Sequence, residues 1–384
     1  MSNIARILEI YGAINELSDA WKQWRECKAS DQPEPPGPPM PPPGPEPEPP
    51  PTGPSVKIQG VVFLNDLATA ADGSDNHTFT HIPGTDKHVV NYGDGNGYNN
   101  SPRSENDLTL VSGPFPGNYK DLRLRLGGKT YGIGVYEDRL LVWVGRKDAD
   151  TGGSRWDAGK TTWLYEYLIK GHAFKFIRRT KLWSARDDVA FPFFVQRPYD
   201  GWIYGGAPYP TKHKWEIWET DPLPASKRFG IGDNMGIVWL WRVKLKNAHD
   251  RSTYWWYRGN YQAGNEMWGS EKDRKPCVVP HKAFTCSMTW VPGFNSYLFF
   301  SMASGMYSLQ KNSHLQIWQA PKPWGKWTRV VLDDHWGKES GVSPGVFHWN
   351  LVPGWFTADG KRGVIAYSGV GKNDRLALQR VRIR

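Results

Sequence analysis

The chain reads as an all-β body, a five-bladed β-propeller, preceded by an N-terminal amphipathic helix and a polyproline linker. Three observations predict this. Beyond residue 55, helix-period apolar runs are scarce. Short aromatic and β-branched segments alternate there with Gly, Pro, Asn and Asp, the pattern of strands joined by tight turns. The composition agrees, since 384 residues with 41 Gly, 21 Trp and 39% hydrophobic content suit turn-rich, aromatic-packed sheets better than a helical bundle. Antiparallel patterns also recur, over residues 129–146, 191–209, 236–245, 285–300 with 315–332, and 346–383. Units of roughly 50–70 residues fill the length, which favours a propeller over a sandwich. Pairing residues 56–58 with a C-terminal strand at 376–382 would close the ring and remove exposed sheet edges.

Residues 1–30 are assigned to an anchoring or oligomerisation helix. Ile4, Ile7, Tyr11, Ile14, Ser18 and Trp21 follow three-four spacing, and Leu8, Ile10, Leu17 and Trp24 widen the apolar face. A lone helix of this length has nowhere of its own to bury that face. The expectation is that it docks on a partner protein or self-associates; folding back onto the body is the alternative. Residues 31–55 carry fourteen prolines, so they read as a semi-rigid polyproline II spacer of about 65–70 Å. Their PxxP spacing also fits SH3-type ligands, a lesser reading. Residues 56–384 form the head of this tethered layout.

Several function classes are set aside. The formal charge is +10, but Lys and Arg are scattered, and no helix-turn-helix, RNP or zinc-finger pattern supports nucleic-acid binding. Arg380, Arg382 and Arg384 form the densest basic cluster and read as the solvated face of a last strand. Attraction to an acidic cell surface is a milder use of the same charge. Cys27, Cys277 and Cys286 offer neither a disulfide framework nor zinc spacing. No apolar run approaches the roughly 18 residues of a membrane span. Glu9, Asn15, Glu16 and Asp19 interrupt any secretory core, so delivery to a cell surface is expected to fall to something else, such as a virion.

The segment richest in chemistry is Asp72-Gly-Ser-Asp75-Asn76, followed by Tyr92-Gly-Asp94-Gly-Asn96-Gly-Tyr98. Two carboxylates sit in glycine-rich turns at the ends of what reads as one strand over residues 78–91. Hydrolysis of an acetal needs such a pair, one protonated to donate and one ionised as base or nucleophile. Ordinary Asx turns are the plainer reading. His77 and His81 alternate along the same strand, with His88 as a third nitrogen ligand. Surface histidines are the preferred reading there, and no metal is assigned. The run from Asp94 to Gly97 resembles a calcium loop without its later ligands, so a structural calcium is the one cofactor admitted. Asp187 and Asp188 precede an apolar strand over 191–195 and offer a third carboxylate, or else a turn pair. Glu266 and Glu339 are weaker acidic candidates. Trp268, Trp336, Trp349 and Tyr98 are candidates for stacking on sugar rings.

Together, three segments resemble the DUF4185-type five-bladed β-propellers, a glycoside hydrolase-like group related to endo-D-arabinanases. They are the Asp72–Gly95 region, Ala190-Phe-Pro-Phe-Phe-Val-Gln196, and a last set comprising Pro323-Trp-Gly-Lys-Trp327, Trp355-Phe-Thr-Ala-Asp-Gly360 and Ser368 to Asp374. The likeness covers residues 58–384 and none of the tail. It implies that Asp75 and Asp94 hold the positions of the acidic pair and that Asn76 binds a hydroxyl. His77, Tyr98 and Asp188 are placed beside them as substrate-binding candidates. The chain departs from the pattern at His77 and Thr78, where the group carries an aromatic residue and proline. The functional expectation is a glycoside hydrolase acting on a cell-surface polysaccharide, arabinofuranose-containing as the resemblance suggests. The alternative is a non-catalytic glycan- or receptor-binding head of a tethered protein such as a phage virion component.

Overall fold

Short apolar strands and glycine-bearing turns build an all-β body whose described residues contain no α-helix, only single 3-10 turns. The computed structural model describes residues 54–71, 73–95, 97–98, 104–124, 126–146, 161–184, 187, 189, 191–208, 238–259, 267–277, 286–302, 313–336, 347–357, 359–369 and 375–384. The helix expected over 1–30 lies outside them, as does the expected linker except for Pro54 and Ser55.

Two short strands, β1 (Val61–Phe63) and β2 (Ala68–Ala70), come first. A four-stranded sheet follows, made of β3 (Phe79–His81), β4 (Lys87–Gly95), β5 (Ser104–Ser112) and β6 (Asn118–Asp121). The next contains β7 (Lys129–Tyr136), β8 (Arg139–Arg146), β9 (Thr161–Lys170) and β10 (Ala173–Trp183). Then come β11 (Phe193–Gln196), β12 (Ile203–Pro208), β13 (Val238–Val243), β14 (Trp255–Tyr257) and β15 (Trp268–Gly269). They are continuous, through one parallel pairing of β11 with β16, with the antiparallel run β16 (Cys286–Val291), β17 (Ser296–Met302), β18 (Ser313–Ala320) and β19 (Thr328–Trp336). The last sheet holds β20 (Phe347–Leu351), β21 (Arg362–Ser368) and β22 (Leu376–Ile383), with β1 and β2 added along the outer side of β22.

Side chains join the first strand of each antiparallel run to the next. Thr80 Oγ1 on β3 accepts from the Val135 amide on β7 at 3.2 Å. Gln196 Nε2 on β11 donates to the Ile133 carbonyl on β7 at 2.8 Å. The β11–β16 joint is the parallel ladder itself, Val195 opposite Met288 and Gln196 opposite Thr289. Ser287 Oγ on β16 donates to the Trp349 carbonyl on β20 at 2.7 Å. Asn350 on β20 returns to the start: its Nδ2 donates to the His77 carbonyl at 2.7 Å and its Oδ1 accepts from the Phe79 amide at 3.3 Å. The joints form a closed cycle, and all four joining side chains are buried. These strands are short and mostly buried on both faces, and every residue of β7 is buried. Gly132 allows the close approach of β7 to β11, since a Cβ there would sit 2.8 Å from Phe193 Cα and from the Pro192 carbonyl. Aromatic rings fill the space between sheets. Trp143 on β8 lies 5.1 Å from Trp183, 5.3 Å from Phe194 and 5.9 Å from Trp241, and such pairs add about 0.5–1.5 kcal/mol each beyond burial.

Two expectations are corrected. Residues 56–58 do not pair with the C-terminal strand. The Val56 amide bonds Phe294 O at 3.0 Å and the Ile58 amide bonds Gln319 Oε1 at 2.8 Å, while β1 and β2 pair with β22 in their place. Residues 78–91 are a hairpin rather than one strand, because the chain reverses at Pro83 and Gly84, whose φ of 74° a glycine adopts freely. The exposed Arg380 and Arg382 on β22 do mark a solvated face, as expected.

Asn350→Ala strips two buried backbone groups of their partners, at about 1–3 kcal/mol for each unsatisfied group. Arg380→Ala removes a surface pair with Asp66 and an exposed stacking contact on Phe115, each worth about 0–1 kcal/mol. In urea denaturation the first variant should lose at least about 2 kcal/mol and the second clearly less, about 1 kcal/mol. Equal losses would contradict the side-chain joints.

Candidate functional site

The hairpin brings together what a single strand would hold apart. Asp75 pairs with Gly93 in an isolated antiparallel bridge, its amide 3.0 Å from Gly93 O and its carbonyl 2.9 Å from the Gly93 amide. Asp94 is the next residue along β4, so the backbone sets the two acidic positions close together. The Asp94 side chain lies outside the described residues. The Asp75 carboxylate is largely buried, its side chain 13% exposed, and both oxygens are engaged. Lys129 Nζ, on the first residue of β7, lies 3.5 Å from Oδ2, and Asn76 Nδ2 donates to Oδ1 at 3.0 Å. Asn76 takes the left-handed conformation with φ 57°, which Asn tolerates better than most residues.

Asn91 anchors this loop. Its Oδ1 accepts from the Thr78 amide at 2.7 Å, and its Nδ2 donates at 2.6 Å to both Asn76 O and Thr130 Oγ1. His77 is wholly buried, which corrects the expectation of a surface histidine. A carbonyl only accepts, so the 3.1 Å contact with Ser74 O places the ring proton on Nε2, and Nδ1 accepts from the Tyr98 hydroxyl at 2.9 Å. Both nitrogens therefore have protein partners and neither is open to a metal. His88 Nε2 bonds Pro353 O and His81 Nε2 bonds Thr85 O, each at 2.7 Å. Among the described residues no group of three or more His, Cys, Asp or Glu is placed to hold a metal ion; Asn96 of the calcium-like run lies outside them.

The remaining candidates separate. Tyr98 stacks on Tyr119 at 4.5 Å, with Tyr92 and His77 against its edge, so neighbours occupy the ring expected to stack on sugar. Trp268 and Trp349 are core residues, 3% and 2% exposed. Trp336 lies on β19. Asp187 is bound by Arg251 at 3.0 and 3.2 Å and by Ser184 at 2.6 and 2.8 Å. Burial pushes its pKa up, but those hydrogen bonds prevail and hold the carboxyl below the ordinary range. It is a turn residue in an ion-pair network with Arg251 and Glu271. Asp188, Glu266 and Glu339 lie outside the described residues, as does the Trp336 side chain. Lys129 was not anticipated; a lysine opening the otherwise apolar run of residues 129–136 was the available signal.

No protein-family model matches the chain, and no curated protein sequence matches it. Solved structures similar to it include the catalytic domain of the Coprinopsis cinerea GH62 α-L-arabinofuranosidase. That match has a TM-score of 0.47 at 10% identity and covers 81% of this chain and 91% of that one. An exo-β-1,3-galactanase from Phanerochaete chrysosporium aligns with a TM-score of 0.46 at 7% identity, over 83% of this chain and 64% of that one. An α-L-arabinofuranosidase from Clostridium thermocellum aligns with a TM-score of 0.38 at 11% identity, over 77% and 82%. At this distance the likenesses carry no inference about chemistry.

Burial lowers the pKa of His77 from 6.5 to about 4. Burial, with His77 adding to it, lowers that of His348 to about 3. Both are neutral at pH 7, and the unfolded chain takes up their protons first as pH falls. Their stabilisation is therefore present above pH 6.5 and is lost on acidification towards pH 4, by roughly 3 kcal/mol for His77 alone. The melting temperature should fall steadily over that window, and less steeply in His77→Gln. A profile flat between pH 7 and about 4.5 would contradict the burial of these rings.

Proposed function

We propose that the body is a five-bladed β-propeller and a glycoside hydrolase acting on a cell-surface polysaccharide. In this reading each antiparallel run is a blade, and the cycle of side-chain joints surrounds the axis. Asp75 and Asp94 form the acidic pair at the end where the innermost strands begin. The observation that carries the reading is the Asp75–Gly93 bridge, which brings the backbone of Asp75 within one residue of Asp94, with Lys129 against the Asp75 carboxylate. A cation in contact with a carboxylate suits its ionised form, so Asp75 takes the role of base or nucleophile and Asp94 that of proton donor. Asn76 orients Asp75. The arabinofuranose preference rests on the sequence resemblance.

Residues 56–60 join the body at the end opposite the proposed face. They bond Phe294, just beyond the end of β16, and Arg384, just beyond the end of β22. Asp75 lies instead where β3 and β7 begin.

The test is reducing-sugar release by the full chain from arabinogalactan and other bacterial wall glycans. Asp75→Asn and Asp94→Asn should each lower turnover by about 10²–10⁴-fold while melting within a few degrees of the wild type. Near wild-type turnover in either variant sinks the assignment. Glycan retention without release by the wild type would instead establish a binding head.

A further inference from the structure

At the opposite end of the cycle, where the innermost strands finish, lies a cavity of about 540 Å³, within the roughly 300–1,000 Å³ typical of ligand sites. We propose that it is a second binding site, distinct from the Asp75 face, for a neutral saccharide. The trailing ends of β3, β7, β11 and β16 and the loop after β20 all contribute to its wall, so residues far apart in the chain converge there.

Two buried polar groups on the wall have hydrogen-bonding capacity that the protein does not use. Gln196, 8% exposed, spends Nε2 on Ile133 O, which leaves Oε1 as an acceptor. Arg197, its side chain 3% exposed, gives Nη2 to Asp200 at 2.5 Å, and its buried Nε has no partner. Gln196 Oε1 offers an acceptor and the Arg197 guanidinium a donor to a ligand in the cavity. Asp200 balances the guanidinium, which argues against an anionic ligand. Tyr136, Tyr199, Trp290 and Phe356 give the wall aromatic rings, and Glu137 adds a carboxylate to it. Flat apolar rings beside unpaired hydrogen-bonding groups match a sugar, whose C–H faces are apolar and whose hydroxyls both donate and accept. The site does not depend on hydrolysis at Asp75.

The probe is a set of neutral disaccharides (arabinobiose, galactobiose, maltose and cellobiose) presented to the full chain in saturation-transfer NMR and calorimetry. At least one should bind. Tyr199→Ala should weaken it roughly ten-fold or more. Trp290→Phe, which shortens the aromatic wall, should weaken it too, with unchanged far-ultraviolet dichroism in both variants. Asp75→Asn should bind as the wild type does. The proposal is overturned if no disaccharide binds at millimolar concentration, if both cavity variants bind normally, or if Asp75→Asn abolishes binding. A uronate-bearing analogue binding more tightly than its neutral counterpart would refute the choice of ligand.

Discussion

Everything else in this fold depends on side chains that do the work of backbone pairing around the innermost strands. β3 has three residues and β11 has four, too few to hold neighbouring sheets together by ladders alone. Asn350, Thr80, Gln196 and Ser287 supply the missing links, and one parallel pairing completes the cycle. Each hydrogen bond adds only about 1 kcal/mol net, but its loss strands a buried partner. The arrangement is therefore modest in stabilisation and strict in geometry, which a site assembled from several strand ends needs.

That strictness separates two ends with different chemistry. Where the strands begin, Asp75, Lys129 and Asn76 form a small, largely buried charged cluster, held by Asn91 and by the neutral His77. Where they finish, aromatic rings and two partly unsatisfied polar groups surround a cavity. The first arrangement is organised around a carboxylate. The second combines aromatic rings with Gln196 and with the Arg197 guanidinium, which Asp200 balances.

Much of this was legible in the sequence. Alternating apolar segments located most strands, and the alternation of arginines on the last strand correctly marked its solvated face. The hairpin was missed because β-branched and aromatic residues on both sides of Pro83-Gly84 mask the turn they flank. That error had a consequence, since a single strand over 78–91 would have put the acidic positions roughly 45 Å apart. The outer strands β9 and β10 also escaped the repeat pattern. Tryptophan identity alone does not separate core from surface, so Trp268 and Trp349 stand among the candidates for sugar stacking although both pack inside. Asn91 and Asn350 stand out as polar residues in apolar strands, which signals internal satisfaction, but the partners come from sequence-distant strands and leave no local trace.

Native-state hydrogen exchange of the β3 segment tests the central claim most directly. Alone, a three-residue strand paired on one side would open locally and exchange fast. If the side-chain cycle holds it, the Phe79 amide, bonded to Asn350, should exchange only through global unfolding, as slowly as the amides of the fully buried β7. Fast exchange at Phe79 beside a protected β7 would show that the cycle does not bind the innermost strands, and the account would fail at its base.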